Sequence, residues 1–203
     1  GKPDNDFSKS YTPRLLRPRY PFSLRPAEVA TFQSHRKCWQ EILDRGLEAA
    51  LIIEDDVDII NREFTAAVKL AMKEIKMGDL IRFPIKLREK PRNKFVVREN
   101  ISIFEPTLVG LGMVAQIVTF DAARRLLEQT ERFDRPVDTY LQLRWKHRVR
   151  ILTLWPNGVR EISSILGGSL IQGKSNGDRL RREILRPLYR AKLSTYAFIN
   201  KQK

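Results

Sequence analysis

Three adjacent carboxylates, Glu54, Asp55 and Asp56, follow the apolar run Ala49-Ala50-Leu51-Ile52-Ile53, and Asp58 stands two residues further on. Acids placed directly after a buried strand lie where open α/β sheets bind ligands, in the crevice beyond the carboxyl ends of the strands. Crowded together they repel one another, so a cation or a set of hydrogen-bond donors would stabilise their ionised forms. A hard divalent ion such as Mg or Mn takes oxygen ligands and commonly bridges a protein carboxylate to substrate phosphates. One or two of these acids would hold the ion, and a neighbour would bind a ribose or orient a water. A solvated turn with an acidic start to the next helix accounts for the same residues, because Asp is favourable near a helix N-terminus. Asp56-Val57-Asp58 is also a D-x-D triplet, which leaves open which pair would ligate.

Few other side chains offer chemistry. The histidines are His35 and His147. His35 shares a helical face with Phe32 and Trp39 and is expected to point inward, where a satisfied structural histidine is the commoner outcome. His147 lies among basic residues. Asp138, in Pro136-Val137-Asp138-Thr139-Tyr140, fits either a general base or an acid in the first turn of a helix. Arg82, Lys86 and Arg88 are cations that surface solvation explains.

The elements that must position these groups are legible in the apolar spacing. Residues 1–26, with five prolines, read as irregular structure. Phe32, His35, Trp39, Ile42 and Leu43 recur at helical spacing after Pro26, with Gly46 placed to end the helix. Residues 49–53 read as a strand covered on both faces. Asn61 is expected to cap a second helix with Phe64, Val68, Ala71 and Ile75 inside, closed by Gly78. Leu80 to Phe83 predicts another strand, and Lys86 to Asn93 a basic loop. Phe95-Val96-Val97 and Ile101 to Phe104 predict a hairpin. Met113 to Phe120 reads as a buried strand, Asp121 as the cap of the next helix, Pro136 as the start of another, and Arg150 to Leu154 as a late strand. Helices alternating with short apolar strands indicate an α/β domain.

The 203 residues suffice for a substantial core, and 42% hydrophobic with 31% charged residues describes a globular chain. No apolar run approaches the roughly 20 residues needed to cross a bilayer. The opening residues have no signal-peptide pattern, and the single Cys38 permits no intramolecular disulfide, which fits a reducing cytosol. The formal charge of +14 attracts phosphorylated ligands, anionic membrane or nucleic acid. No zinc spacing or RNP motif supports specific nucleic-acid recognition. From Lys174 onward five Arg and four Lys stand against Asp178 and Glu183, so this tail carries +7.

Several ordered motifs between Glu28 and Pro156 resemble glycosyltransferase family 25, which includes bacterial lipooligosaccharide galactosyltransferases. They are Glu28-Val29-Ala30, Ser34-His35-Arg36-Lys37-Cys38-Trp39, and Gly46 to Val57 with its Glu54-Asp55-Asp56 ending. Gly112 to Val118, Ala122 to Leu127 and Pro136-Val137-Asp138 continue the likeness. The family's usual Gly-Cys before Ser-His is replaced by Ala30-Thr31-Phe32-Gln33, and no strand equivalent to the family's first one is recognisable in residues 1–26.

The resemblance implies a GT-A-like nucleotide-sugar-binding fold with a mixed central sheet, followed here by a basic C-terminal helix. It implies a UDP-sugar donor, most often galactose, and inversion at the anomeric carbon onto a lipooligosaccharide or other surface glycan, lipid-linked acceptors included. A divalent cation, Mn or Mg, would be held by Glu54 and Asp56. His35, Asp55, Arg82 and Lys86 would contact the donor, and Asp138 would be the base. The division expected is an irregular segment 1–26, a transferase domain 27–173 and a basic amphipathic segment 174–203. The expected location is cytoplasmic, peripheral on the inner face of the bacterial inner membrane. A truncated or degenerate transferase domain, or a basic binding protein without catalysis, are the alternatives.

In the tail, Leu180, Ile184, Leu185 and Leu188 recur at helical spacing among Arg181, Arg182, Arg186 and Arg190. Two readings stand side by side: a helix packing its leucines on the domain, and an amphipathic segment resting on an anionic membrane.

Overall fold

A computed structural model of the chain describes residues 10–98, 100–161 and 176–200. The first helix, α1 (Pro26–Asp44), is specified locally at both ends. Pro26 sits at its first turn, and the Glu28 carboxylate accepts the Arg25 backbone N–H at 2.8 Å. At the far end Gly46 takes φ +59°, and the bonds from Leu47 N to Ile42 O and Gly46 N to Leu43 O close the last carbonyls. Val29, Phe32, His35, Trp39 and Ile42 form the buried face.

The remaining elements are β1 (Ala49–Ile53), β2 (Val57–Ile59), α2 (Asn61–Glu74), β3 (Asp79–Arg82), β4 (Pro91–Arg98) and β5 (Ile101–Pro106). They continue with β6 (Ala115–Thr119), α3 (Phe120–Gln129), α4 (Val137–Leu141), α5 (Arg144–His147), β7 (Arg150–Trp155), β8 (Val159–Glu161) and α6 (Asn176–Ile199). Six strands form one mixed sheet in the order β1-β6-β3-β7-β5-β4, with β3 parallel to β7 and the other neighbours antiparallel. The expected mixed α/β architecture and C-terminal helix are present. The central strands are buried on both faces because alternate side chains enter two separate cores. Leu80, Val118 and Ile151 pack with α1 and α3, whereas Ile81, Ile117 and Leu152 pack with Phe64, Ala67 and Ala71 of α2. Phe32 stacks on Phe133 with centroids 3.9 Å apart.

Several local expectations change. Strand β1 is an edge of the sheet, pairing with β6 alone among the described residues, and Leu51 and Ile53 are 39% and 40% exposed. It is therefore not covered on both faces. Asn61 is the first residue of α2 rather than its cap, Gly78 (φ +85°) turns the chain into β3 beyond the helix end, and Asp121 lies inside α3. There Asp121 is held by Arg124 and Arg125, and the Arg124 hydrogen bond pulls its carboxyl below the usual range. The basic stretch from Lys86 gives way to strand at Pro91, since β4 pairs with β5 from there to the turn at Asn100 (φ +66°). The boundary read at residue 174 lies outside the described residues.

His147 is a core residue. Its Nδ1 accepts the Val149 N–H at 3.0 Å and its Nε2 donates to Leu141 O at 3.1 Å, so both ring nitrogens are used in the neutral form. Burial pushes its pKa down to about 4. A histidine kept neutral by folding costs stability as pH falls through its unfolded value near 6.5, and the loss levels off near 4. The unfolding free energy is expected to fall by about 3 kcal/mol across that window through this residue. Urea titrations at successive pH values should show a shallower fall for His147→Gln than for the wild type.

Candidate functional site

Helix α1 and strand β6 deliver the first cluster. The His35 ring is 4% exposed, with Nε2 3.2 Å from Glu54 Oε1 and Nδ1 3.1 Å from Gln116 Nε2. The Gln116 amide can only donate from its nitrogen, so Nδ1 accepts and Nε2 carries the proton toward the Glu54 carboxylate. Glu54 directly follows β1, and its backbone N–H donates to Val114 O at 2.8 Å. Asp55 and Asp56 project beyond it, exposed and without a side-chain partner among the described residues. Asp58 lies in β2, where its Oδ1 accepts the Ile59 N–H.

A second cluster holds the loop before β6. Arg82, cross-strand neighbour of Gln116, is 2% exposed, and its guanidinium bonds Glu89 Oε1, Leu111 O and Gly112 O. Glu89 Oε1 also accepts the Gly110 N–H at 2.8 Å. A Cβ at Gly110 would stand 2.9 Å from that oxygen, so glycine allows the close approach. Asp138, in the first turn of α4, accepts the Gly112 N–H at 2.9 Å through Oδ2 and the Thr139 N–H at 2.6 Å through Oδ1. Segment 110–114 thus touches Arg82 and Asp138 at one end and the acidic turn at the other. Burial lowers the Arg82 pKa, and the charges of Glu89 and Asp138 oppose that effect.

Glu54, through its backbone N–H, and Asp138, through its carboxylate, are both held by this one short segment. Arg82 is inside the protein, and any contribution it makes to a ligand runs through the loop it holds. Lys86 is exposed on the segment after β3. Gln116 and Glu89 were not singled out from the sequence. The signal for Gln116 was a lone carboxamide in an otherwise apolar strand run, Val114-Ala115-Gln116-Ile117-Val118. Glu89 carried none, because an acid among Arg88, Lys90 and Arg92 reads as a solvated loop. A hollow of about 560 Å³ lined by Asn61, Arg62, Thr65, Ala66 and Lys69 opens on α2 and includes none of these carboxylates.

Among the described residues no three or more His, Cys, Asp or Glu side chains converge to cage an ion. Exposed paired carboxylates at a strand end fit a different arrangement, in which protein supplies one or two oxygens and diphosphate and water supply the rest. The donor set therefore suits Mg or Mn held jointly with a substrate.

Residues 2–141 match the sequence model of glycosyltransferase family 25, described as an LPS biosynthesis protein family. The match begins inside the segment read as irregular and includes every candidate site residue. The chain is 32% identical over 128 residues to a bovine (Bos taurus) protein named probable inactive glycosyltransferase 25 family member 3, covering 60% of this chain and 21% of that one. It is 38% identical over 65 residues to procollagen galactosyltransferase 2 of Mus musculus, which is 30% of this chain and 10% of the relative. The Homo sapiens procollagen galactosyltransferase 2 is 50% identical over 42 residues, 19% of this chain and 7% of the relative. The aligned stretches span about a fifth or less of these relatives. With the family match running over more than half its length, this chain belongs to glycosyltransferase family 25.

Proposed function

We propose that the chain is a metal-assisted, inverting galactosyltransferase that moves galactose from UDP-galactose to a hydroxyl of a lipopolysaccharide-type or other surface glycan. The observation that supports this most is the segment 110–114, which bonds Glu54 through Val114 and Asp138 through Gly112. It joins an acidic strand end suited to a metal-bound diphosphate to a carboxylate suited to proton removal. Family membership supports sugar transfer, and the family description supports the acceptor class.

Asp56 would hold the divalent ion with Glu54 beside it, and Asp55 would contact the donor. The ion, when bound, supplies positive charge against the departing diphosphate. His35 donates to Glu54, and Gln116 fixes the His35 tautomer, so the carboxylate keeps one orientation. Asp138 removes the acceptor hydroxyl proton as that oxygen attacks the anomeric carbon from the face opposite UDP, which inverts the configuration. Its Oδ1 accepts both the N–H and the hydroxyl of Thr139, whereas Oδ2 accepts the Gly112 N–H alone and retains a lone pair for that proton. Arg82 acts as a positioning residue through the loop.

A second reading, a domain that binds donor without turning it over, is favoured by the likeness to a relative named as probably inactive. Transfer and hydrolysis of UDP-galactose with and without Mn separate the two. For Asp138→Asn the expected result is a kcat lower by roughly 10²- to 10⁴-fold with donor affinity within a few fold. Equal loss of donor binding would assign Asp138 to the donor site or to the fold.

A further inference from the structure

Helix α6 presents apolar side chains on two opposite faces. Tyr189 and Leu193 are buried, and Leu185, Tyr196 and Ala197 are half-buried beside them. On the other side Ile184, Leu188 and Phe198 are 56%, 53% and 70% exposed, and Ile199 is 62% exposed. At 3.6 residues per turn, Ile184, Leu188, Ala191, Thr195 and Phe198 fall within a sector of about 80°. Lys192 stands about 40° beyond one edge, Glu183 and Arg190 about 60° and 80° beyond the other, all exposed, and Arg186 is exposed further round. Among the described side chains of this helix the single acid is Glu183.

An apolar stripe edged by cations on a chain of +14 net charge complements a continuous anionic surface with an apolar layer beneath it. We propose that the outer face of α6 rests on an anionic lipid bilayer, with Ile184, Leu188, Phe198 and Ile199 at the acyl boundary and Arg190 and Lys192 at phosphate level. No helix among the described residues is long and apolar enough to cross a membrane, so the contact is interfacial.

The inner face ties the helix to the candidate site. Arg135, fully buried, donates to Tyr189 Oη at 2.7 Å, to Asp134, and to the carbonyls of Leu16 and Pro18. Burial raises the Tyr189 hydroxyl pKa to about 12, with the Asp138 charge among the smaller causes. Arg135 stands three residues before Asp138, so lipid contact at α6 would hold the Asp138 end of the site close to the membrane surface.

The test is flotation of the full chain with phosphatidylcholine vesicles and with vesicles containing about 30% phosphatidylglycerol, at low and high salt. Binding to the anionic vesicles at low salt, weakened by added salt, is expected. Leu188→Gln with Phe198→Gln should lower the partition coefficient roughly 100-fold, about tenfold for each apolar side chain. Arg190→Gln with Lys192→Gln should lower it about 25-fold, about fivefold per charge. All these positions are exposed, so melting temperature and circular dichroism should not change. The idea fails if anionic vesicles bind nothing at low salt, or if the apolar pair leaves binding unaltered. It also fails if sedimentation shows a dimer that Leu188→Gln and Phe198→Gln dissociate, since a second copy would then occupy the stripe. No donor or acceptor enters this assay, so its outcome is independent of the proposed reaction.

Discussion

Asp56→Asn is expected to reduce sugar transfer about 10³-fold or more while leaving the fold intact. The carboxylate is exposed in the turn after β1, with no side-chain partner among the described residues, so the amide disturbs nothing that holds the domain together. Exposed substitutions of this kind usually change stability by less than about 0.5 kcal/mol. What it would lose is a charged oxygen of the proposed metal site. A metal ion contributes several kcal/mol to stabilising the charge on a departing diphosphate, and about 4 kcal/mol corresponds to three orders of magnitude in rate. The wild type is expected to show a Mn-dependent rise in melting temperature with UDP and this variant to lose it, because ligand binding to the folded state alone is what raises it. Wild-type turnover at limiting metal would remove Asp56 from the metal site. Asp58→Asn is the natural comparison, since its carboxylate already caps the Ile59 N–H and lies in β2.

The largest loss of stability is expected from Arg82→Met. The Arg82 and Glu89 side chains are 3% and 2% exposed, and the guanidinium also holds the carbonyls of Leu111 and Gly112. Removing one partner of a buried pair leaves the other charge uncompensated, which costs about 3–5 kcal/mol. In a domain of this size that lowers the melting temperature by about 10 °C. Glu89 keeps the Gly110 N–H but loses its cation. Adding Glu89→Leu should recover part of the loss, because an apolar pair of similar volume carries no buried charge. It should not restore the loop: the amides of Gly110 and Gly112 should exchange faster in both variants than in the wild type. A single variant that melts within about 1 kcal/mol of the wild type would show that the pair does not carry this segment.

The sequence by itself determined the elements whose signals are local. Helix α1 was readable at both ends, because Pro26 and Gly46 act within one turn of where they stand. The hairpin of β4 and β5 was readable from two apolar runs around a short turn, and β3, β6 and β7 from short, largely apolar runs between helices. The acidic turn after β1 and the inward face of His35 were equally legible, since each depends on spacing along one element.

Tertiary structure decided what depends on distant partners. Ala49 to Ile53 has the composition of a central strand, yet it lies at the sheet edge, and composition does not encode which neighbours a strand finds. The pairing of Val57–Ile59 with Val159–Glu161 joins segments about a hundred residues apart and leaves no local mark. Arg82 and Glu89 read as solvated charges until the sheet and loop close over both. Gln116 acquires a role only because α1 sets His35 beside it. In α6 the leucine spacing foretold a helix and left open what its stripe meets: Ile184 and Leu188 point outward, while Tyr189 and Leu193 are buried. The Leu180 side chain lies outside the described residues. Periodicity defines an apolar stripe without saying which of two stripes docks. That choice was made by Arg135, whose buried guanidinium needs the Tyr189 hydroxyl and two carbonyls of the N-terminal segment to satisfy its donors.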